Sequence, residues 1–529
     1  MKKTIFKTSY FALFGLMLLQ SCTKNLDQQP TNDVTSETVY GTAAGYKQVL
    51  AKVYGSFALT GNQGPAGNGD VQGIDEGFSD FYRLFWKAQE LSTDEAVISW
   101  GDVGIQDFHK MNWTASNSFL TGLYYRSMYQ ITLCNDFIRE AADAKLSERG
   151  VSGADADNIR QYAREAKFLR AFQYWVLMDL YGNPPLVTEA NLIGGATPTQ
   201  ATRTQIFTYI ETELKALEAN MPAQRTNEYG RADKGAVWAL LARLYLNAQV
   251  YTGTAKFTEA ITYAKKVIDG GYSLISNYAW LMRADNHLNA SEFIFTINYD
   301  GLRTQGYGGT TFLTHAPVGG SMPASAFGVA GGWSGARTTK NLPNLFPDVT
   351  GTADKRSQFY TSGQNLEIVN LTTFTDGLAV TKFRNIKRDG SNGQSQDFSD
   401  VDMPLFRLAE MYLIYAEAVL RNGTGGDVAT AVLYMNNLRA RAYGNASGNI
   451  SASGLNLDFI LDERARELYW EGHRRTDLIR FNKFTEATYL WPWKGGVASG
   501  TGVDAIRKLY PIPSREINAN VNMKQNPGY

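Results

Sequence analysis

The sequence has few of the residues that carry enzyme chemistry or covalent cross-links. Its 529 residues include only two cysteines, Cys22 and Cys134, and four histidines. It contains no His-Glu-x-x-His zinc motif, no Gly-x-Ser-x-Gly nucleophile motif and no phosphate-binding P-loop. Two cysteines are too few for a disulfide framework or a thiolate metal site. We therefore predict no catalytic residue, no metal site and no cofactor.

An excess of basic charge is also missing. Lysine plus arginine and aspartate plus glutamate each number 51, so the formal net charge is zero. Residues 1–21 carry three lysines and no acid, so their removal would leave a net charge of −3. Nucleic-acid-binding domains instead carry clustered positive charge that follows the phosphates. The composition therefore removes nucleic acid from the expected partners.

The N-terminus has the features of an export signal. Three lysines precede a short apolar run at residues 11–19, well below the roughly 20 residues of a membrane-spanning helix. Leu19-Gln20-Ser21-Cys22 resembles a bacterial lipoprotein box, in which Cys22 is acylated and becomes the first residue. An ordinary export signal with an incidental cysteine is the alternative. We predict a lipoprotein signal peptide at residues 1–21, a tether at 22–40 and a single domain at 41–529.

Hydrophobic periodicity predicts a mainly α fold. Several segments repeat apolar residues at helical spacing, and some of them form two-helix units with a short turn between. Alanines in these units would let the two helices pack closely. The units resemble tetratricopeptide repeats, which are helical pairs of about 34 residues. The predicted pairs are 234–249 with 257–268, 404–420 with 427–442, and 457–470 with 474–484. A separate long helix is predicted over residues 155–180, where the apolar residues form a broad face.

The predicted helical pairs are not spread evenly along the chain. They fall mainly within residues 119–270 and 404–484, where stacked pairs would build a rigid scaffold. Residues 286–402 between them show little helical signal and contain short β-like runs at 293–297 and 378–383. We therefore predict a helical scaffold that carries a loop-rich, irregular face with a few short strands, where binding residues commonly lie.

Residues 306–333 of this loop-rich region combine many glycines with large aromatics. They show no helical period, and Tyr307 and Trp333 each lie beside paired glycines. An aromatic side chain with glycine neighbours has little local cover. We predict that both rings present flat apolar faces to a ligand with flat, weakly apolar faces, such as a pyranose sugar. The alternative is that both are core residues under a long loop.

Pairs of acidic residues leave an enzymatic alternative open. A glycoside hydrolase needs two carboxyl groups that face one glycosidic bond. Asp94-Glu95, Asp462-Glu463 and Glu467 with Glu471 are pairs of this kind. The simpler interpretation is an ion-paired helix face, since arginines alternate with these acids and Glu471 lies four residues before Arg475.

Several longer motifs resemble a known family. The most specific are residues 162–171 with 179–182, 230–234, 406–410, 463–472, 510–513 and 526–529. On these motifs, together with Cys22, the chain is identified as a member of the SusD/RagB family. The resemblance covers nearly the whole chain after the signal. It implies a tetratricopeptide-bearing, non-catalytic lipoprotein, anchored to the outer membrane at the cell surface, that captures glycans for a SusC-like TonB-dependent transporter.

A further resemblance, to the starch-binding branch of the family, implies specific site residues. It rests on residues 75–83, 93–95, 307–310, 332–334, 374–377 and 489–496. It implies that an arc of Trp100, Tyr307 and Trp333 cradles a curved α-glucan such as starch, with Asp75 and Arg83 as hydrogen-bonding partners. The chain departs from that pattern after Trp100, because residues 101–105 contain no asparagine, and Ile98 replaces an expected aromatic. The same fold binding a different glycan or a peptide is the alternative.

Overall fold

The computed structural model describes residues 36–192 and 194–529. The predicted export signal, the predicted acylation site Cys22 and most of the predicted tether lie outside the described residues. Within them, helices dominate and strands are few and short. This confirms the mainly α fold with a few short strands.

The helices concentrate before residue 270 and after residue 407. In chain order they are α1 Ser36–Val39, α2 Ala43–Gly55, α3 Phe81–Glu90, α4 Asp107–Lys110, α5 Ser118–Glu140, α6 Asp143–Glu148, α7 Gly153–Tyr181, α8 Arg203–Leu217, α9 Lys234–Leu246, α10 Ala248–Thr252, α11 Phe257–Ile268, α12 Gly309–His315, α13 Leu408–Leu420, α14 Val428–Tyr443, α15 Leu457–Leu468, α16 Arg474–Arg480 and α17 Ser514–Ala519.

The strands form three separate antiparallel pairs, β1 with β3, β2 with β6 and β4 with β5. Their bounds are β1 Val97–Ile98, β2 Phe293–Ile297, β3 Ala336–Arg337, β4 Phe359–Tyr360, β5 Ala379–Val380 and β6 Met403–Arg407. In the first pair Val97 lies opposite Arg337, and Ile98 opposite Ala336. This short pair matters most for function, because it joins two loops that carry aromatic side chains.

Local sequence explains where the longest helix stops. α7 ends at Tyr181, and Gly182 follows with φ of 79°, a conformation that glycine adopts at little cost. Pro184 and Pro185 follow after Asn183 and cannot continue a helix. The predicted helix over residues 155–180 is therefore confirmed almost to the residue.

The two-helix units pack in series along the chain. α9 packs against α11, α11 against α13, and α13 against α14. Ala239 and Ala242 of α9 and Ala260 and Ala264 of α11 are fully buried, which allows the close approach that the alanines suggested. The helical pairs are therefore present where the sequence predicted them, and the tetratricopeptide-like character of each pair stays a prediction.

Three predicted boundaries in this part of the chain are wrong. The helix predicted over 404–420 begins at Leu408, because the residues before it form β6 and pair with β2. The β-like run at 378–383 contributes only β5. The glycine-rich residues 306–333, predicted without a helix, contain α12, which is fully buried. Tertiary packing decides these short elements, whereas local pattern decides the long helices.

Buried apolar side chains from Tyr40 to Met523 form one contiguous cluster beneath these elements. Trp100 and Trp333 pack against it from the loop-rich face. The buried Cys134 belongs to the same cluster, as expected for a small apolar side chain. None of the helices in the described part of the chain combines the length and the apolar character needed to cross a bilayer.

The acids of the C-terminal helices are buried and ion-paired. The Glu471 carboxylate accepts from Arg407 Nε (2.7 Å) and Lys382 Nζ (2.6 Å), and Arg475 donates instead to the carbonyl of Lys508 (2.8 Å). The expected pairing of Glu471 with Arg475 is therefore wrong. α15 ends at Leu468 and α16 begins at Arg474, so the two residues do not share a helix face.

Candidate functional site

The three predicted arc residues lie together on the loop-rich face. The ring centroids of Trp100 and Trp333 are 6.3 Å apart with 46° between the ring planes. Those of Trp333 and Tyr307 are also 6.3 Å apart, with 69° between the planes. Trp333 is therefore the middle ring. Because each ring is tilted against the next, the row turns instead of forming a flat wall.

The pairing of β1 with β3 brings the two tryptophans together. Trp100 follows β1 and Trp333 precedes β3. Just beyond the paired residues, Ser99 Oγ donates to the carbonyl of Ser334 (2.6 Å), and Trp100 Nε1 donates to the carbonyl of Trp333 (3.0 Å). The main-chain N–H of Ser99 also donates to the carbonyl of Gly335 (3.0 Å). These bonds join the two loops, so the relative orientation of the rings is set before any ligand arrives.

Two glycines permit this close packing. A Cβ atom on Gly335 would lie 2.4 Å from Cε2 of Trp100, and one on Gly332 would lie 2.1 Å from the carbonyl oxygen of Val318. Both distances are far below van der Waals contact. The glycines near Trp333 therefore allow the Trp100 ring and the Val318 carbonyl to approach this loop closely, and they also leave the Trp333 ring uncovered.

Tyr307 is positioned by the start of α12. Asp80 Oδ1 accepts from the main-chain N–H of Gly309 (2.7 Å) and from that of Arg83 (3.0 Å), which ties α12 to α3. The Tyr307 side chain is 39% exposed, and Trp100 and Trp333 are half-buried. All three rings are thus reachable to some degree, and none is sunk in the core.

Arg83 lies behind the rings. Its Nη1 donates to the carbonyls of Tyr307 (2.7 Å) and Gly77 (3.1 Å), and its guanidinium carbon is 5.6 Å from the Trp100 ring centroid and 5.8 Å from that of Trp333. Only 9% of Arg83 is exposed. This geometry makes Arg83 a positioning residue for the arc, whereas its predicted bonds to a sugar stay a prediction.

Burial lowers the pKa of Arg83 to about 10, although three carboxylates, on Asp102, Asp80 and Asp75, oppose the shift. The guanidinium is therefore charged at neutral pH.

Asp75 is exposed and accepts from the main-chain N–H of Phe78 (3.2 Å), so it remains able to accept from a ligand hydroxyl as well. Asp102 is also exposed. Asp102 lies two residues after Trp100, in the segment where an asparagine was expected. This position was the only sequence signal that could have identified Asp102 as a polar residue of the site.

Two rings beside the arc were not predicted. The His315 imidazole stacks behind Trp333 with centroids 5.0 Å apart and 31° between planes. Phe398 lies on the other side of Tyr307, with centroids 5.9 Å apart and 38° between planes. Phe398 directly follows the polar residues 389–397, and an isolated aromatic there was the available signal.

The acidic pair nearest in sequence to Trp100 is committed to internal bonds. Asp94 is buried, and Arg474 donates to both of its oxygens at 2.7 Å. Although burial opposes it, Arg474 lowers the pKa of Asp94. Glu95 is buried too, and burial raises its pKa. A hydrolase would need two acids that reach one substrate bond, and these two are enclosed.

Within residues 36–192 and 194–529, no group of three or more histidine, cysteine, aspartate or glutamate side chains is arranged to hold a metal ion. A cavity of about 320 Å³ lies beside α2, lined by residues such as Tyr54, Tyr229 and Thr304, and none of the arc rings lines it. The row of rings is thus an open surface feature.

The chain is similar in sequence to known proteins along most of its length. Residues 354–529 match the family described as "SusD family", and residues 26–246 match the family described as "Starch-binding associating with outer membrane". The chain is 36% identical to the starch-binding protein SusD of Bacteroides thetaiotaomicron, over 96% of each chain. It is 24% identical to a SusD-like protein of Bacteroides ovatus, over 70% of this chain and 67% of that one.

Solved structures share the fold. The surface glycan-binding protein A of Bacteroides fluxus superposes with a TM-score of 0.69 at 22% identity, over 92% of this chain and 100% of that one. The protein of the same name from Bacteroides thetaiotaomicron, solved in complex with laminarihexaose, gives a TM-score of 0.68 at 20% identity, over 91% and 99%. At these identities the likeness concerns the fold.

Proposed function

This chain belongs to the SusD/RagB family, and we propose that it is a non-catalytic, cell-surface protein that captures starch and related α-glucans through the arc of Trp100, Tyr307 and Trp333. The row of three tilted rings is the observation that carries the proposal. Flat aromatic faces give the C–H faces of a sugar a dry contact, and the turn of the row suits a curved chain better than a straight one.

Polar groups around the rings supply the second half of recognition. Asp75 and Asp102 are exposed carboxylates that can accept from sugar hydroxyls, and such charge-assisted bonds are stronger than neutral ones. Arg83 holds the loop of Tyr307 and stays charged behind the tryptophans. Because much of this open face would remain wet, we expect modest affinity and a preference for long or cyclic glucans over glucose.

The remaining parts of the proposal rest on sequence and kinship. We propose that Cys22 is acylated, that the acyl chains hold the protein at the outer membrane, and that captured glycan passes to a SusC-like TonB-dependent transporter. The lipoprotein box supports the first step, and the matching description that mentions the outer membrane supports the second. A Cys22→Ala variant should leave the membrane fraction, and its retention there would contradict the anchor.

The same fold could serve a different ligand. A relative by fold was solved with laminarihexaose, so this scaffold is compatible with a glycan other than starch. The relative at 36% identity carries the name starch-binding, and this higher identity favours the α-glucan. A peptide ligand has no comparable observation in its favour.

Affinity electrophoresis of the purified protein tests the proposal directly. Gels containing amylopectin, pullulan, levan, dextran or laminarin should retard the protein on amylopectin and pullulan. Trp333→Ala should migrate as if no polysaccharide were present, because it removes the middle ring. Tyr434→Ala, which alters a stacked tyrosine pair on α13 and α14, is the matched control and should behave as wild type.

Equal migration of the wild type with and without amylopectin would contradict α-glucan binding. Retardation on laminarin alone would favour the alternative that the same fold binds a different glycan. Incubation with maltoheptaose should yield no shorter products.

A further inference from the structure

The row of aromatic rings extends beyond the three arc residues. Phe398 continues it past Tyr307, so the contacts run from Trp100 to Trp333, then to Tyr307 and then to Phe398. The three centroid separations are 6.3, 6.3 and 5.9 Å. Neighbouring rings in this row of four are therefore separated by nearly the same distance.

Phe398 does not serve the protein core. It is half-buried, yet it is not among the half-buried apolar side chains that pack against the buried apolar clusters of the described residues. Its only aromatic contact within that part of the chain is Tyr307, which is itself exposed. An apolar ring held at the surface without a core to join is available to a ligand.

The main chain around Phe398 is fixed on both sides. Ahead of it, the carbonyl of Gln396 accepts from the N–H of Ala330 (3.1 Å) and lies 3.1 Å from Nε2 of His315. After it, the N–H of Ser399 donates to Thr311 Oγ1 (3.0 Å). His315 and Thr311 both belong to α12, whose start also positions Tyr307.

Further anchors make this segment rigid. The N–H of Asp400 donates to Asn385 Oδ1 (3.0 Å), and Thr310 Oγ1 donates to the carbonyl of Val401 (2.6 Å). Phe398 and Tyr307 are therefore carried by one hydrogen-bonded unit. Because this unit is already ordered, the protein would lose little conformational entropy when a ligand contacts both rings. Exposed Gln396 and Asp397 lie just before Phe398 and offer an amide and a carboxylate to sugar hydroxyls.

We propose that Phe398 is a fourth stacking ring, which adds a subsite for one more sugar of an α-glucan beyond Tyr307. This inference rests on the proposed function and specifies it: the site selects for chain length, because only a ligand that passes Tyr307 reaches Phe398. Gln396 or Asp397 binds the hydroxyls of that added sugar.

Calorimetric titration with maltotriose and maltoheptaose tests the fourth ring. The quantity that decides is the ratio of the two dissociation constants. Phe398→Ala should reduce the advantage of maltoheptaose by roughly three- to tenfold, since one partly buried ring face is lost, and should leave maltotriose binding near wild type. Phe398→Tyr keeps a flat ring and should preserve the ratio, whereas Phe398→Leu keeps apolar volume without a flat face and should behave like Phe398→Ala.

Each other outcome overturns the inference. An unchanged ratio in Phe398→Ala, or an equal loss for both ligands, would mean that Phe398 is not an additional subsite. If Phe398→Ala fails to fold, Phe398→Leu gives the same decision. If the wild type binds maltoheptaose and Trp333→Ala does not, the proposed function is supported. In that case an unchanged ratio of dissociation constants in Phe398→Ala counts against the fourth ring alone. A wild type that binds neither ligand contradicts the proposed function itself.

Discussion

Arg83 and Tyr307 are 224 residues apart in sequence, yet Arg83 Nη1 donates to the Tyr307 carbonyl at 2.7 Å. The guanidinium carbon of Arg83 also lies 5.6 Å from the ring centroid of Trp100 and 5.8 Å from that of Trp333. One buried cation therefore holds the loop of one arc residue and contacts the rings of the other two. A site made of three distant chain segments depends on such a shared support.

Replacement of Arg83 by lysine should weaken α-glucan binding. Lysine keeps the charge, but it cannot place planar donors on the carbonyls of Gly77 and Tyr307 while it lies over two indoles. We expect a loss of about tenfold in affinity, measured by calorimetry with maltoheptaose, with only a small change in melting temperature. Arg160→Lys on α7 is the control, because Arg160 makes only exposed ion pairs. Wild-type affinity in Arg83→Lys would show that Arg83 does not position the arc.

A methyl group at Gly335 should displace Trp100. The added Cβ would lie 2.4 Å from Cε2 of the indole, so the ring must move away from Trp333. We expect Gly335→Ala to lose at least tenfold in α-glucan affinity and about 1–3 kcal/mol in the free energy of unfolding, as for other overpacked sites. Chemical denaturation and affinity gels measure the two effects.

Gly331 provides a matched control for that substitution. It lies four residues earlier in the same loop, and a Cβ there would meet nothing within 4 Å. Gly331→Ala should therefore bind and unfold like the wild type. If the two alanine variants bind equally well, the orientation of Trp100 does not matter for the ligand.

The sequence was informative about features that repeat or that punctuate the chain. The long helix α7 could be predicted from its apolar period and from the Gly-Asn-Pro-Pro sequence that ends it, and the exposed positions of Tyr307 and Trp333 from their glycine neighbours. Trp100 came from family resemblance, because its position beside Trp333 depends on the pairing of β1 with β3. Strands of two residues carry too little pattern to be predicted.

The supporting residues could not be predicted for a related reason. Phe398 and His315 reach the site through hydrogen bonds between α12 and residues 396–401, which are contacts far apart in sequence. Arg83 was predicted to bond to the sugar, and only the fold shows that its guanidinium also bonds to the main-chain carbonyls of Gly77 and Tyr307. A pattern of residue types gives the chemistry of a side chain but not the direction in which it points.

The buried ion pairs should make the protein sensitive to acid. Although burial opposes it, Arg441, Arg407 and Arg356 lower the pKa of Glu467 to about 2. A carboxyl with a lowered pKa stabilises the fold above its unfolded pKa near 4.5, and this stabilisation is lost as the pH falls towards 2. The shift corresponds to about 3 kcal/mol for Glu467.

Glu467→Gln isolates this contribution. Urea unfolding from pH 7 to pH 2.5 should show that the difference between wild type and variant is largest at pH 7 and shrinks below pH 4.5. The variant should be less stable at pH 7 by about 3–5 kcal/mol, since it leaves buried arginines without a partner charge. Glu148→Gln, at an exposed ion pair, should follow the wild-type curve. A pH-independent difference would contradict the lowered pKa.

Asp80 should show the opposite pH dependence. Burial raises its pKa to about 6, against the N–H groups of Arg83 and Gly309, which favour the charged form. A carboxyl with a raised pKa binds its proton more tightly in the folded state, so its contribution to stability falls as the pH rises from about 4 to about 6. In Asp80→Asn the side chain is neutral at every pH, and asparagine still caps α3. The free energy of unfolding of the variant relative to wild type should therefore rise between pH 4 and pH 6 and stay level above.

Asp427→Asn, at the exposed N-cap of α14, is the control for Asp80→Asn. Local hydrogen bonds from Thr430 lower the pKa of Asp427, so the effect of this substitution on the pH dependence should have the reverse sign. Parallel pH curves for wild type and Asp80→Asn would mean that the carboxylate linking α3 to α12 is not held in a desolvated site.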